Sequence, residues 1–145
     1  MIPLILAAAL LAPTIGWAAA PPAKDCPPLG SLPDFLVDAN TVKTYDTVEF
    51  QRKNAAGDLE PIDVSGQLCT AHYRLRPGKD TPSNLEIQSN YKLQLQQLGA
   101  EIIVSEGRDT YARLVKNGAE TWFRVYSSED SIETTVLRVT PPKLT

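Results

Sequence analysis

The chain has 145 residues, a net charge of −3 at pH 7 and 21% charged side chains, and a chain of this length fits a single domain. Fourteen basic residues against seventeen acidic ones leave no basic excess to neutralise a run of phosphates, which excludes a dedicated nucleic-acid binder. One histidine and two cysteines are too few for most zinc sites, which take roughly three or four such ligands. We therefore expect no metal and no cofactor.

The N-terminal segment has the pattern of a secretory signal peptide. Ile2 to Leu11 is an apolar run broken only by Pro3, and small residues follow at 18–20. The run is shorter than the ~20 residues that a spanning helix needs, and the small side chains favour cleavage after Ala18. A retained membrane anchor is the alternative. We predict a signal peptide over residues 1–18, a periplasmic or secreted location, and no stable membrane span after cleavage.

Residues 19–40 are rich in proline and predict an extended arm ahead of the domain. Cys26 lies in this arm and Cys69 in a predicted strand. In an oxidising compartment an even pair of cysteines is usually a disulfide, whereas two unpaired thiols, with Cys69 a small buried hydrophobe, are the alternative. We favour Cys26–Cys69 as a disulfide candidate, whose loop closure would contribute about 4 kcal/mol.

Residues 41–140 predict an α+β domain, and residues 141–145 a short tail. Gly66 is a candidate bulge, and the segment from Asn54 to Pro61 reads as a loop because it collects Asn, Gly, Asp and Pro. The predicted strands, in chain order, are Thr41–Arg52, Val64–Arg76, Glu101–Ser105, Thr110–Lys116, Ala119–Ser127 and Ile132–Thr140.

One helix is predicted between the second and third strands. Pro82 suits a first helical turn, and Ser83 with Glu86 three residues later matches a capping box. Gly99 is the expected left-handed stop. The order β-β-α-β-β-β-β, with strands and helix segregated, predicts an antiparallel sheet of about five to six strands with one helix packed on one face. The apolar stripe of this helix consists of Ile87, Tyr91, Leu95 and Leu98.

Asn117-Gly118 between two alternating segments predicts a tight hairpin with a type I′ turn. A two-residue turn places Arg113 opposite Trp122 and Tyr111 opposite Arg124, on the face away from the helix. We predict that this face is open and carries a ladder of aromatic and guanidinium groups, suited to sugar rings or peptide side chains. The alternative is that these groups satisfy one another across the strands. The candidate binding residues are Tyr111, Arg113, Trp122, Arg124 and Tyr126.

No catalytic residues are predicted, and we expect that the protein is not an enzyme. His72 is the only imidazole, and Cys69, three residues away on one strand, faces the opposite side. A nucleophilic triad needs a histidine that is held by a carboxylate and that contacts a serine or cysteine. A small hydrolase stays a less favoured alternative; it would require a cleft around His72 with an acidic partner.

Several segments resemble the periplasmic domain that precedes the peptidoglycan-binding domain in many OmpA-family outer-membrane proteins. The likeness covers most of residues 25–140 and depends mainly on the Asn-Tyr pair in the helix and on the Lys-Asn-Gly hairpin. It implies an outer-membrane-associated module without catalytic residues. The matching segments are Asp25–Leu29, Leu32–Phe35, Tyr45–Phe50, Pro82–Tyr91, Leu98–Ala100 and Leu114–Trp122.

The sequence departs from that pattern because it stops at Thr145 with no peptidoglycan-binding domain. We therefore expect a free-standing accessory domain: an exported, non-enzymatic module that binds an envelope component, either a glycan or a protein. The alternative is a structural interaction module that receives a partner at a sheet edge. That alternative predicts that substitution of Trp122 leaves binding intact.

Overall fold

The computed structural model describes residues 23–142, so the predicted signal peptide over residues 1–18 lies outside the described residues. Within this range, no helix is long and apolar enough to cross a bilayer. The elements are β1 (Phe35–Lys53), β2 (Leu59–Leu75), α1 (Asn84–Gln97), β3 (Glu101–Glu106), β4 (Asp109–Lys116), β5 (Ala119–Ser128) and β6 (Ser131–Val139).

The six strands form one antiparallel sheet in the order β1-β2-β6-β5-β4-β3. The predicted α+β class, the single helix and the element order are therefore confirmed. The β4–β5 register is also the predicted one, with Lys116 paired to Ala119. Asn117 and Gly118 have φ values of 53° and 76°, as a type I′ turn requires.

The first hairpin is longer than the sequence predicts. β1 begins at Phe35, inside the predicted arm, and β2 begins at Leu59, inside the predicted loop. Pro61 is tolerated because β2 pairs with β6 only from Gly66 onward, so at Pro61 the strand has a single neighbour and needs only one row of hydrogen bonds. Pairing with β1 thus overrides the loop-like composition of the segment.

One face of the sheet, here called the helix face, packs against α1. Ser83 caps the helix by accepting a hydrogen bond from the Glu86 backbone N–H at 3.1 Å, and Gly99 follows the helix with a φ of 87°. The predicted cap at Ser83 and the left-handed residue at Gly99 are confirmed, whereas Pro82 precedes the cap and lies outside the first helical turn. Of the predicted apolar stripe, Leu98 is only partly buried; the stripe residues that are fully buried against the sheet are Ile87, Tyr91 and Leu95.

The arm packs on the helix face beside α1. The predicted disulfide is present, joining Cys26 of the arm to Cys69 of β2 with an S–S distance of 2.09 Å. Leu29 and Leu32 are buried in the same core. The Tyr73 hydroxyl donates to an Asp25 carboxylate oxygen at 2.6 Å, so the arm is held by a covalent bond, apolar burial and a hydrogen bond.

The opposite face, here called the inner face, carries a second core because the sheet curls. β1 shifts register between Lys43 and Asp46, opposite Gly66 of β2, and a Cβ at Gly66 would lie 2.0 Å from a backbone oxygen of β6. This bend carries the far half of the first hairpin over the sheet, where Phe50 meets Trp122. The second core consists of Phe50, Val64, Leu68, Ile103, Trp122 and Leu137.

Candidate functional site

The five predicted binding residues lie together on the inner face of β4 and β5. Arg113 is opposite Trp122, and Tyr111 is opposite Arg124, as the hairpin register predicts. The Arg113 guanidinium carbon lies 5.6 Å from the Trp122 ring centroid, and that of Arg124 lies 5.4 Å from the Tyr111 ring and 5.5 Å from the Tyr126 ring. The sheet therefore assembles the predicted ladder of aromatic and guanidinium groups.

The predicted exposure of this ladder is wrong at Trp122. Only 3% of Trp122 is exposed, because the Phe50 ring covers it at a centroid distance of 5.7 Å. Phe50 also meets the Tyr111 ring edge-on at 6.5 Å. The curled hairpin thus converts the centre of the predicted binding face into core, a change that the β4–β5 register by itself does not reveal.

Glu120 fixes the two groups at one end of the ladder. One of its carboxylate oxygens accepts hydrogen bonds from Arg113 Nε at 2.9 Å and from Trp122 Nε1 at 2.6 Å. The bond from Arg113 is the main reason that the pKa of Glu120 lies below its usual value. Glu120 is therefore held as a carboxylate, and the indole N–H of the buried Trp122 has a partner.

Arg124 is fixed in the same way at the other end. Its Nε donates to an Asp109 carboxylate oxygen at 2.9 Å, and its guanidinium stacks between Tyr111 and Tyr126. Burial raises the pKa of Tyr111. Both arginines of the ladder thus already have a carboxylate and an aromatic partner within the sheet, which is the arrangement expected for side chains that satisfy one another.

A pocket of about 320 Å³ opens where the end of β1 approaches β3. The buried Ile103 and Trp122 form apolar wall, while Lys53 and Glu101 are exposed at its sides. Neither of these two side chains has an ion-pair partner among residues 23–142. The residues that line the pocket are Arg52, Lys53, Ile62, Glu101, Ile103, Arg113, Glu120 and Trp122.

Sequence reasoning finds Arg113 and Trp122 but misses the other side of this pocket. Lys53 ends β1 and Glu101 begins β3, and these are the two edge strands of the sheet. They approach each other only because the sheet curls. No spacing or motif in the sequence indicates that approach, so Lys53 and Glu101 carry no sequence signal of a site.

His72 has an acidic partner but no nucleophile. Its Nδ1 contacts an Asp38 carboxylate oxygen, and Arg74 Nε lies 3.4 Å from the other oxygen of Asp38. No Ser, Thr or Cys side chain in residues 23–142 hydrogen-bonds to the imidazole, and His72 does not line the pocket beside Trp122. Three or more potential ligands in metal-binding proximity are likewise absent from this range.

Compared with protein-family models, with curated proteins and with solved structures, the chain matches none of them.

Proposed function

We propose that the protein is an exported, non-enzymatic domain that binds a component of the cell envelope in the pocket beside Trp122. The observation that carries the proposal is the composition of this pocket, where Lys53 and Glu101, which have no ion-pair partner within residues 23–142, lie beside an apolar wall. The Cys26–Cys69 disulfide fits an oxidising compartment. The resemblance to accessory domains of OmpA-family proteins supports an envelope role.

The charges around the pocket define the ligand chemistry. Arg52 and Arg113 are engaged by Glu60 and Glu120 at 2.8 and 2.9 Å, which leaves the exposed Lys53 and Glu101 for a ligand. A carboxylate can pair with the lysine, and an ammonium group with the glutamate. The ligand is therefore a small molecule or chain end that carries both groups, such as the peptide part of a cell-wall fragment.

The volume of the pocket limits the size of the group that it can bind. About 320 Å³ lies at the lower end of the ~300–1,000 Å³ range of small-molecule sites. The pocket therefore holds only a small group, and the rest of a longer ligand stays outside. The bound ligand then removes the apolar surface of Ile103 and Trp122 from water, while Lys53 and Glu101 determine its orientation.

The test uses Trp122 fluorescence in a chain that begins after residue 18, because the only other tryptophan is Trp17. Soluble peptidoglycan fragments should change the emission saturably. The double variant Lys53→Gln/Glu101→Gln should bind at least tenfold more weakly. The control Lys92→Gln/Glu106→Gln, which removes the same charges elsewhere, should bind like the parent. A parent that shows no saturable change, or two double variants that behave alike, would overturn the proposal.

A sheet edge is the second candidate, favoured by exposed apolar residues on the edge strand β1. Val42 and Tyr45 are 60% and 40% exposed. The register shift between Lys43 and Asp46, together with their ion pair at 3.2 Å, interrupts that edge, and such interruptions protect edges from added strands. Binding that survives Lys53→Gln/Glu101→Gln but is lost in Tyr45→Lys would replace the pocket with the edge.

A further inference from the structure

The helix face is left partly uncovered at the end that carries the Asn117-Gly118 turn. Leu114 pairs with Thr121, Thr121 with Arg138, and Arg138 with Gln67. These four residues therefore form one row across β4, β5, β6 and β2. Arg138 lies in the middle of the row and is exposed, whereas Ala112, Phe123 and Val136 of the neighbouring row are buried in the same core as the arm and α1.

Two hollows of about 260 and 340 Å³ lie on either side of Arg138, which lines both. Pro27 of the arm borders the first and Pro28 borders the second. The first also contains Val136, and the second Phe123, both of which are buried. We call the two hollows together the Arg138 groove. Val42 also lines the first hollow, and Lys116 lines the second.

The charge of the Arg138 groove has one sign. Among residues 23–142, Arg138 and Lys116 are its only charged lining residues, and no carboxylate of this range lines either hollow. In the part of the chain that the structure describes, neither side chain has an ion-pair partner, whereas Arg113 and Arg124 on the inner face both do. An unpaired guanidinium beside apolar hollows is complementary to an anionic head group on an apolar body.

We propose that the Arg138 groove binds a single-chain fatty acid. The carboxylate pairs with the Arg138 guanidinium, with Lys116 nearby, and the alkyl chain lies in the first hollow over Val136 and Val42. Val42 is 60% exposed, so covering it removes apolar surface from water. Each hollow is near or below the ~300 Å³ lower limit of ligand sites, which favours one chain over a two-chain lipid. This site shares no residue with the pocket beside Trp122.

The experiment is calorimetric titration of the chain from residue 19 onward with sodium laurate below its micelle concentration. The parent should bind one laurate per chain. Arg138→Gln should weaken binding at least tenfold, and Arg138→Lys should lose less because it keeps the charge. Lys92→Gln, a lysine on α1 that lies outside the groove, should bind like the parent. Decyl glucoside, a neutral amphiphile, should bind at least tenfold more weakly than laurate.

The outcomes separate this proposal from the pocket beside Trp122. Laurate binding that persists in Lys53→Gln/Glu101→Gln supports the Arg138 groove, and binding that is lost in this variant contradicts it. No binding by the parent, equal binding of laurate and the glucoside, or unchanged binding by Arg138→Gln would each overturn it. Arg138 is exposed, so Arg138→Gln should keep the parent's thermal unfolding curve, which checks that a loss of binding is not a loss of fold.

Discussion

Phe50→Ala tests whether the first hairpin covers the inner face. Phe50 is fully buried, and its ring contacts Trp122 and Tyr111 at centroid distances of 5.7 and 6.5 Å. Truncating a buried phenylalanine costs about 3–5 kcal/mol, out of a total stability of roughly 5–15 kcal/mol. We expect a loss of about 4 kcal/mol, which corresponds to a fall of roughly 15 °C in melting temperature for a domain of this size.

Urea unfolding, followed by circular dichroism and by Trp122 emission, measures this loss. Val42→Ala on the same strand is the control: Val42 is 60% exposed, and its truncation should change stability by less than about 0.5 kcal/mol. Phe50→Ala should also shift Trp122 emission to the red and increase its quenching by acrylamide. If Phe50→Ala and Val42→Ala were equally stable and shielded Trp122 equally, the packing of Phe50 on Trp122 would be refuted. The inner face would then be exposed to solvent.

Four further variants probe the rest of the fold. Replacing Cys26 and Cys69 together by serine should lower the free energy of unfolding by about 4 kcal/mol, since the disulfide closes a long loop; a loss below about 1 kcal/mol in urea would show that the arm docks without the cross-link. Gly66→Ala should destabilise by more than about 2 kcal/mol, because its Cβ would lie 2.0 Å from the β6 backbone; an unchanged melting curve would contradict that close approach. Tyr73→Phe should cost about 1.5–3 kcal/mol by removing a hydrogen bond to a carboxylate. Tyr91→Phe should be neutral or stabilising, because no hydrogen-bond partner for its buried hydroxyl lies within residues 23–142; equal losses in the two variants would contradict this. Burial raises the pKa of both tyrosines, so folding keeps both hydroxyls protonated. The free energy of unfolding should therefore fall as the pH rises above the ordinary tyrosine pKa of about 10, which alkaline unfolding followed by absorbance at 295 nm would detect.

The parts of the fold that the sequence predicts are those that local chemistry determines. Asn117-Gly118 specifies a two-residue turn, and the turn determines the whole β4–β5 register. Ser83 and Gly99 determine where α1 begins and ends. The parts that the sequence does not predict depend on distant partners. The segment around Pro61 has the composition of a loop, and it forms a strand because it pairs with β1.

In the candidate site, too, the sequence predicts the local contacts and misses those that depend on the curvature of the sheet. The contact between Arg113 and Trp122 follows from the hairpin register, and the structure contains it. The burial of Trp122 depends on Phe50, which reaches it only when the sheet curls. The same curvature brings Lys53 toward Glu101. An alternating pattern indicates which side chains share a face, but it does not indicate how strongly the sheet bends.

The strand order has a consequence for the way the chain folds. Every neighbouring pair in the sheet is also consecutive along the chain except β2 and β6. The sheet therefore consists of two local units, β1–β2 and β3–β6, which are joined by the long-range pairing of β2 with β6, here called the β2–β6 seam. Local hairpins form quickly, and pairing between distant segments is slow. We therefore expect closure of the β2–β6 seam to limit the folding rate. Cys26 precedes β1 and Cys69 lies in β2, so in a chain that emerges N-terminus first their oxidation need not wait for β6.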